Sequence, residues 1–247
     1  MNNKGMRFLF FTHGIVLQVL LCLWIGTAQA MAMNRFEPWD EQVFIAVGER
    51  YGKAAAERLR KVHDLILGNQ DRQVLDKLKL VNDFLNEFPW IADSVLWHHD
   101  DYWAAPFETI TTHGGDCEDI AIAKYWILRR MGVQDEKLGL AYVLSSNNRP
   151  HMVLLYMSAQ YADSLILDNQ HPKVLPLAAR RDLISIYLFQ NGGTLYLIED
   201  DGNRSRRYKA RYEQRKLAKW SRTMEREQMF DLMYAKYNKG RPLIPNN

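Results

Sequence analysis

The chain has 247 residues, 47% of them hydrophobic and 25% charged, with 32 basic and 29 acidic residues for a net charge of +3. That composition is ordinary for a folded globular protein of one sizeable domain or two small ones, and no internal repeat or low-complexity tract interrupts it. The near balance of charge leaves no bulk signature of a nucleic-acid binder.

The first thirty residues stand apart. Lys4 and Arg7 precede the apolar run "GIVLQVLLCLWIG", and "AQA" at 28–30 supplies the small residues of a cleavage site, so residues 1–30 read as a secretory signal peptide. The run is short of the roughly 20 apolar residues that a spanning helix needs. Export is therefore expected. Cleavage would remove two basic residues, leaving 30 against 29 acidic ones, and would remove Cys22. Cys117 would then be the single thiol, which rules out an internal disulfide. An exported protein with one unpaired cysteine carries either a reactive thiol or a buried inert one.

Residues 38–90 read as two or three helices. In "VLDKLKLVNDFLNEF" the residues Val74, Leu75, Leu78, Val81, Phe84, Leu85 and Phe88 share one face, and Pro89 ends the run. From 97 to 113 the aromatic, turn-rich stretch "WHHDDYWAAPFETITTH" suits a loop packed on a core, in which Trp103 either fills core or lines a cleft. A central helix follows, with Ile120, Ala123, Ile127 and Met131 on one face and Gly132 as its stop.

Downstream, short apolar runs at 138–144, 151–157, 164–169, 184–189 and 194–199 predict a meander of antiparallel strands. Residues 204–226 hold ten basic and two acidic residues interleaved with Tyr208, Tyr212 and Trp220, and predict a basic helical C-terminal extension over 203–247. Export argues against nucleic acid as its partner. An acidic protein, anionic lipid or simply solvent remains. The expected architecture is α+β: N-terminal helices, a central helix and an antiparallel sheet behind it, in one domain over 31–202.

The stretch "THGGDCEDIAIAKYW" at 112–126 sets Cys117 among three acids at the start of the central helix. Unpaired N–H groups and a partial positive charge at a helix start favour a thiolate, whereas flanking carboxylates oppose it. A nucleophile also needs a base and a group that orients the base. His151 opens one predicted strand and Asp168 closes the next, and antiparallel pairing would bring them to one sheet edge. His63, His98, His99, His113 and His171 compete for the role of base, and Asp168 could instead start a turn with Asn169.

The blocks "DDYWAAPFETITTHGGDCEDIAIAKYWILRRMGV", "RPHMVLLY" and "LILDNQHPKVLPLAARRDLISIYLF" resemble the bacterial transglutaminase-like cysteine proteinases of the LapG type over about residues 75–200. The resemblance implies a papain/transglutaminase-like fold, with Cys117 as nucleophile, His151 as general base and Asp168 as the acid that orients it. It also implies a periplasmic endopeptidase that requires calcium and cuts the N-terminal region of a large surface adhesin to release biofilm cells. An inner-membrane cyclic di-GMP receptor would hold it inactive through that receptor's periplasmic domain. No nucleic acid is implied as a partner, and a monomer is the default.

Calcium gives the acids beside Cys117 a purpose, because Asp116, Glu118 and Asp119 offer only oxygens, which suit a hard cation rather than zinc. The alternative is capping without an ion: Asp116 at the N-cap, Asp119 supporting the first turn and Glu118 in water. Two further functions share these residues. A transglutaminase-like acyltransferase would use the same triad, and a noncatalytic exported calcium-binding module would leave Cys117 inert.

Overall fold

The computed structural model describes residues 35–159, 163–190, 195–200, 205–210 and 214–243. The expected signal peptide lies outside these residues. Among the described residues, the first three helices are α1 (Glu41–Tyr51), α2 (Lys53–Asn69) and α3 (Val74–Asn86). Asp40 caps α1, its side chain accepting the Gln42 N–H at 3.1 Å. The apolar stripe of α3 buries Leu78, Val81 and Leu85, while Leu75 stands in solvent.

The stretch expected as a loop at 97–113 is helical over part of its length. After the single turn α4 (Asp93–Leu96), α5 spans Pro106–Thr112. Pro106 fills its first position, where a missing N–H is no loss, and the Glu108 carboxylate accepts the Ala105 N–H at 2.7 Å. The central helix is α6 (Cys117–Arg130), followed by Gly132 at φ 84°, a left-handed position that suits glycine.

Among the described residues, seven antiparallel strands form one sheet in the order β4-β3-β2-β1-β5-β6-β7. They are β1 (Leu138–Ser145), β2 (Pro150–Tyr156), β3 (Leu165–Leu167), β4 (Leu175–Pro176), β5 (Leu183–Phe189), β6 (Leu195–Asp200) and β7 (Ser205–Ala210). The five predicted runs are all strands, yet the sheet is not a simple meander. After β4 the chain crosses back and lays β5 against the free edge of β1. β1 is buried along most of its length and needs a partner on each side to satisfy its backbone.

Alternation along the strands divides two cores. Leu138, Leu140, Met152, Leu154 and Leu167 meet the helices, and Ala141, Val143, Val153, Leu155 and Ile166 pack on the opposite face. α6 lies against β2 and β1 and is buried on nearly every side from Asp119 to Leu128. No helix among the described residues is long and apolar enough to cross a membrane.

The expected basic extension is instead part of the fold. Its first segment is strand β7, paired with β6, and its second is helix α7 (Gln214–Ala235), whose Trp220, Phe230 and Tyr234 are buried in the main core. Residues 220, 223, 227, 230 and 234 alternate steps of three and four, a stripe that the surrounding charge conceals in the sequence. The helix clasps the 101–108 segment: Thr223 Oγ1 donates to the Trp103 carbonyl at 2.8 Å, Arg226 Nε pairs with Glu108 at 3.2 Å, and Lys219 pairs with Asp101. Two of its cations therefore serve intramolecular carboxylates. Thr223→Val should lower stability by about 1–2 kcal/mol by removing a buried hydrogen bond, measured by urea denaturation. A solvated tail would give no change.

Candidate active site

A glycine shapes the approach to α6. Gly115 forms an isolated parallel bridge with Trp90, its carbonyl accepting the Ile91 N–H at 3.0 Å. A Cβ on Gly115 would lie 2.5 Å from Asp119 Oδ2, so only glycine lets that carboxylate tuck beneath the helix start. Asp119 is fully buried, and its Oδ1 accepts the Ala104 N–H at 2.7 Å.

The capping account of the acids does not fit. Asp116 stands at the N-cap, but its side chain makes no capping bond. Glu118 is half-buried and accepts the Cys117 thiol at 3.0 Å instead of pointing to water. Asp93, which sequence reasoning missed, is buried beside them, with Oδ2 on the Tyr102 N–H at 2.6 Å. Asp93, Asp116 and Asp119 bring ligand oxygens within 4.8 Å of one another, as do Asp93, Asp101 and Glu118. Asp93 Oδ1, Asp116 Oδ1 and Asp119 Oδ2 are buried without hydrogen-bond partners.

Three orphaned carboxylate oxygens in one place are costly unless a cation or protons join them. Burial pushes Asp119 up to about 8, and burial with Glu118 and Asp119 nearby raises Asp116. An all-oxygen set of this kind fits a hard divalent cation. Burial first, and then Glu118 and Asp116, also raise the Cys117 thiol.

Across the cleft, His151 is 3% exposed at the start of β2. The register that pairs Leu154 with Leu167 sets Asp168 one residue past the end of β3, and His151 Nε2 meets Asp168 Oδ1 at 2.8 Å. Burial alone would raise the Asp168 pKa, but bonds from His151, the Gln170 N–H and Arg180 win and hold it at about 2. An ionised Asp168 requires the proton on Nε2, which leaves Nδ1 as the basic nitrogen, with Gln170 Nε2 at 3.3 Å.

Arg180, also missed in the sequence, supplies that ion pair. Its Nη1 reaches Asp168 Oδ2 at 2.9 Å, while Nε and Nη2 grip Asp182. Nothing in "AARRD" separates Arg180 from Arg181 before folding. Behind the site, buried Lys124 donates to Asn82 and Asn86, and Asn86 Nδ2 holds the Asp168 carbonyl at 2.9 Å.

None of the competing histidines lines the cleft. His63 accepts the Trp39 N–H, His113 terminates α5, and His171 bonds locally to Lys173. Cys117 and His151 share the walls of an 850 Å³ cleft with Trp90, Tyr142 and Tyr187. Trp103 both stacks on Phe189 in the core and closes one side of this cleft.

A helix carrying a cysteine at its first turn, laid on an antiparallel sheet that carries a histidine and an aspartate, defines a thiol-peptidase architecture. Residues 46–181 match the bacterial transglutaminase-like cysteine proteinase family (BTLCP), and the chain belongs to that family. Calcium-bound LapG of Legionella pneumophila is similar in structure, with a TM-score of 0.62 and 33% identity over 74% of this chain and 97% of that one. EGTA-treated LapG of the same organism gives a TM-score of 0.63 at 33% identity over 75% and 96%. No curated protein matches the chain.

Proposed function

We propose that this protein is a calcium-dependent periplasmic cysteine endopeptidase that cleaves the N-terminal region of a large surface adhesin and so controls biofilm release. The observation that carries the reading is the buried His151–Asp168–Arg180 relay facing the same cleft as Cys117. Cys117 is the nucleophile, His151 the general base and Asp168 the group that orients it. His151 Nδ1 takes the thiol proton as sulfur attacks the scissile carbonyl, and then gives it to the departing amine. Nδ1 next removes a proton from water, which hydrolyses the acyl-enzyme. Backbone N–H groups at the start of α6 receive the carbonyl oxygen as it gains charge.

Asp116, Asp119 and Glu118, joined by Asp93, would hold the calcium ion, which neutralises the anionic field at the head of α6. LapG of Legionella pneumophila has been solved in calcium-bound and EGTA-treated forms, which supports the ion for this chain. The signal-peptide pattern supports the periplasm, and the family supports an inner-membrane cyclic di-GMP receptor as inhibitory partner.

The test incubates residues 31–247 with the N-terminal region of a large adhesin from the same organism, with calcium or EGTA and with Cys117→Ala in parallel. Cleavage that needs both calcium and Cys117 is expected. Full cleavage by Cys117→Ala would sink the mechanism. Incorporation of an added primary amine at the new terminus in place of hydrolysis would identify an acyltransferase.

A further inference from the structure

The cleft continues past Cys117 into a second lobe of about 450 Å³, and Trp90, Cys117, Pro150 and His151 line both lobes. A polypeptide with its scissile carbonyl at Cys117 must therefore extend into each. The two lobes differ in charge. The larger is walled by Asp100, Asp101, Asp116 and Glu118, with Lys219 committed to Asp101. The smaller is walled by Ser145, Arg149, Asn169 and Gln170, and Arg149 is its one permanently charged residue.

Arg149 is built to present its side chain. It closes the β1–β2 hairpin, where its carbonyl accepts the Ser145 N–H at 3.0 Å and its own N–H reaches Ser145 Oγ at 3.2 Å. Pro150 follows and stiffens the exit. The backbone is thus pinned, while the exposed guanidinium has no ion-pair partner among the described residues. Asp100, exposed on the far lobe, belongs to none of the convergent carboxylate groups at the head of α6.

We propose that Arg149 is a specificity-determining residue that selects a carboxylate-bearing side chain in the stretch of substrate lying over the β1–β2 hairpin, while Asp100 repels the same side chain from the opposite lobe. This rests on the peptidase reading and adds to it the direction in which the substrate lies. A guanidinium recognises a carboxylate through paired donors, and like charge excludes the reversed placement.

The test uses peptides spanning the adhesin bond, with Asp, Asn or Lys placed in turn at each of three positions on either side. Cleavage by the calcium-loaded protein and binding to calcium-loaded Cys117→Ala are both measured. The expected result is a preference of about fivefold to tenfold for Asp over Lys on one side of the bond only, as a partly exposed ion pair gives. R149E should invert that ratio and R149Q abolish it, while K79E, the same charge change on α3, should leave it as in the wild type. Equal ratios in R149E and wild type would overturn the proposal and leave the peptidase reading intact. Binding with an Asp preference that R149E inverts, without cleavage of any peptide, would uphold Arg149 and overturn the peptidase reading.

Discussion

Arg180→Ala should lower stability by about 3–5 kcal/mol and cut the rate of substrate cleavage by about 10²-fold or more, because it strands Asp168 as a buried charge. Asp168 is 1% exposed, and among the described residues Arg180 is its one permanent cation partner. In the wild type the folded pKa of Asp168, about 2, lies below the usual carboxylate value of 3.8. A depressed carboxylate contributes stability that is present above about pH 4 and lost as pH falls through 2. The expected contribution is about 2 kcal/mol.

Without the guanidinium, one of the bonds that offset burial is gone, so the Asp168 pKa rises and the acid loss begins at a higher pH than in the wild type. A protonated Asp168 no longer fixes the proton on His151 Nε2, so Nδ1 ceases to be the basic nitrogen. Arg180→Lys should rescue poorly, since one ammonium cannot hold Asp168 and Asp182 with a rigid fork. Urea denaturation at pH 7 and pH 4, together with cleavage rates, reads both effects. An Arg180→Ala protein with wild-type activity and an unchanged acid limb would show that Asp168 needs only His151.

The contrast between Asp168 and Arg180 marks how far the sequence is readable. Period-two runs expose β1, β2, β3, β5 and β6, and from them the neighbourhood of His151 and Asp168 follows. β4 has two residues, too few for any period, and β7 reads "SRRYKA", where charge hides a strand that pairs along its whole length. α7 is hidden for the same reason: a run of Lys and Arg suggests solvent, although Trp220, Thr223, Glu227 and Tyr234 make a buried stripe. Asp93 sits 23 residues before Asp116, in a segment with no motif, and joins the site only because the Trp90–Gly115 bridge folds the chain back. Local spacing places Asp116, Glu118 and Asp119 on one helix turn. Tertiary contacts supplied Asp93 and Arg180.

Those buried carboxylates should make the calcium-free protein lose stability as pH rises. Asp119 has a folded pKa of about 8 against the usual carboxylate value of 3.8, the result of burial. A carboxylate raised in this way contributes stability that is fully present below about pH 4 and is lost as pH climbs through 8, the reverse of Asp168. Over that window the loss is on the order of several kcal/mol, because the metal-free site must bury charge that the unfolded chain leaves in water. If calcium occupies the proposed site on the ionised oxygens, a concentration of about 1,000 times its Kd should return about 4 kcal/mol. In EGTA the Tm should therefore fall between pH 5.5 and pH 8, and calcium should raise it by about 10 °C at pH 8 and by much less at pH 5.5. Asp119→Asn keeps an acceptor for the Ala104 N–H while removing the charge. It should flatten the EGTA profile and abolish most of the calcium shift. If the wild-type Tm in EGTA were level across this range, the orphaned oxygens would have to be satisfied by water, and the site would need no ion to fold. A calcium shift of equal size in Asp119→Asn would instead move the ion to the Asp93, Asp101 and Glu118 group, whose oxygens also converge.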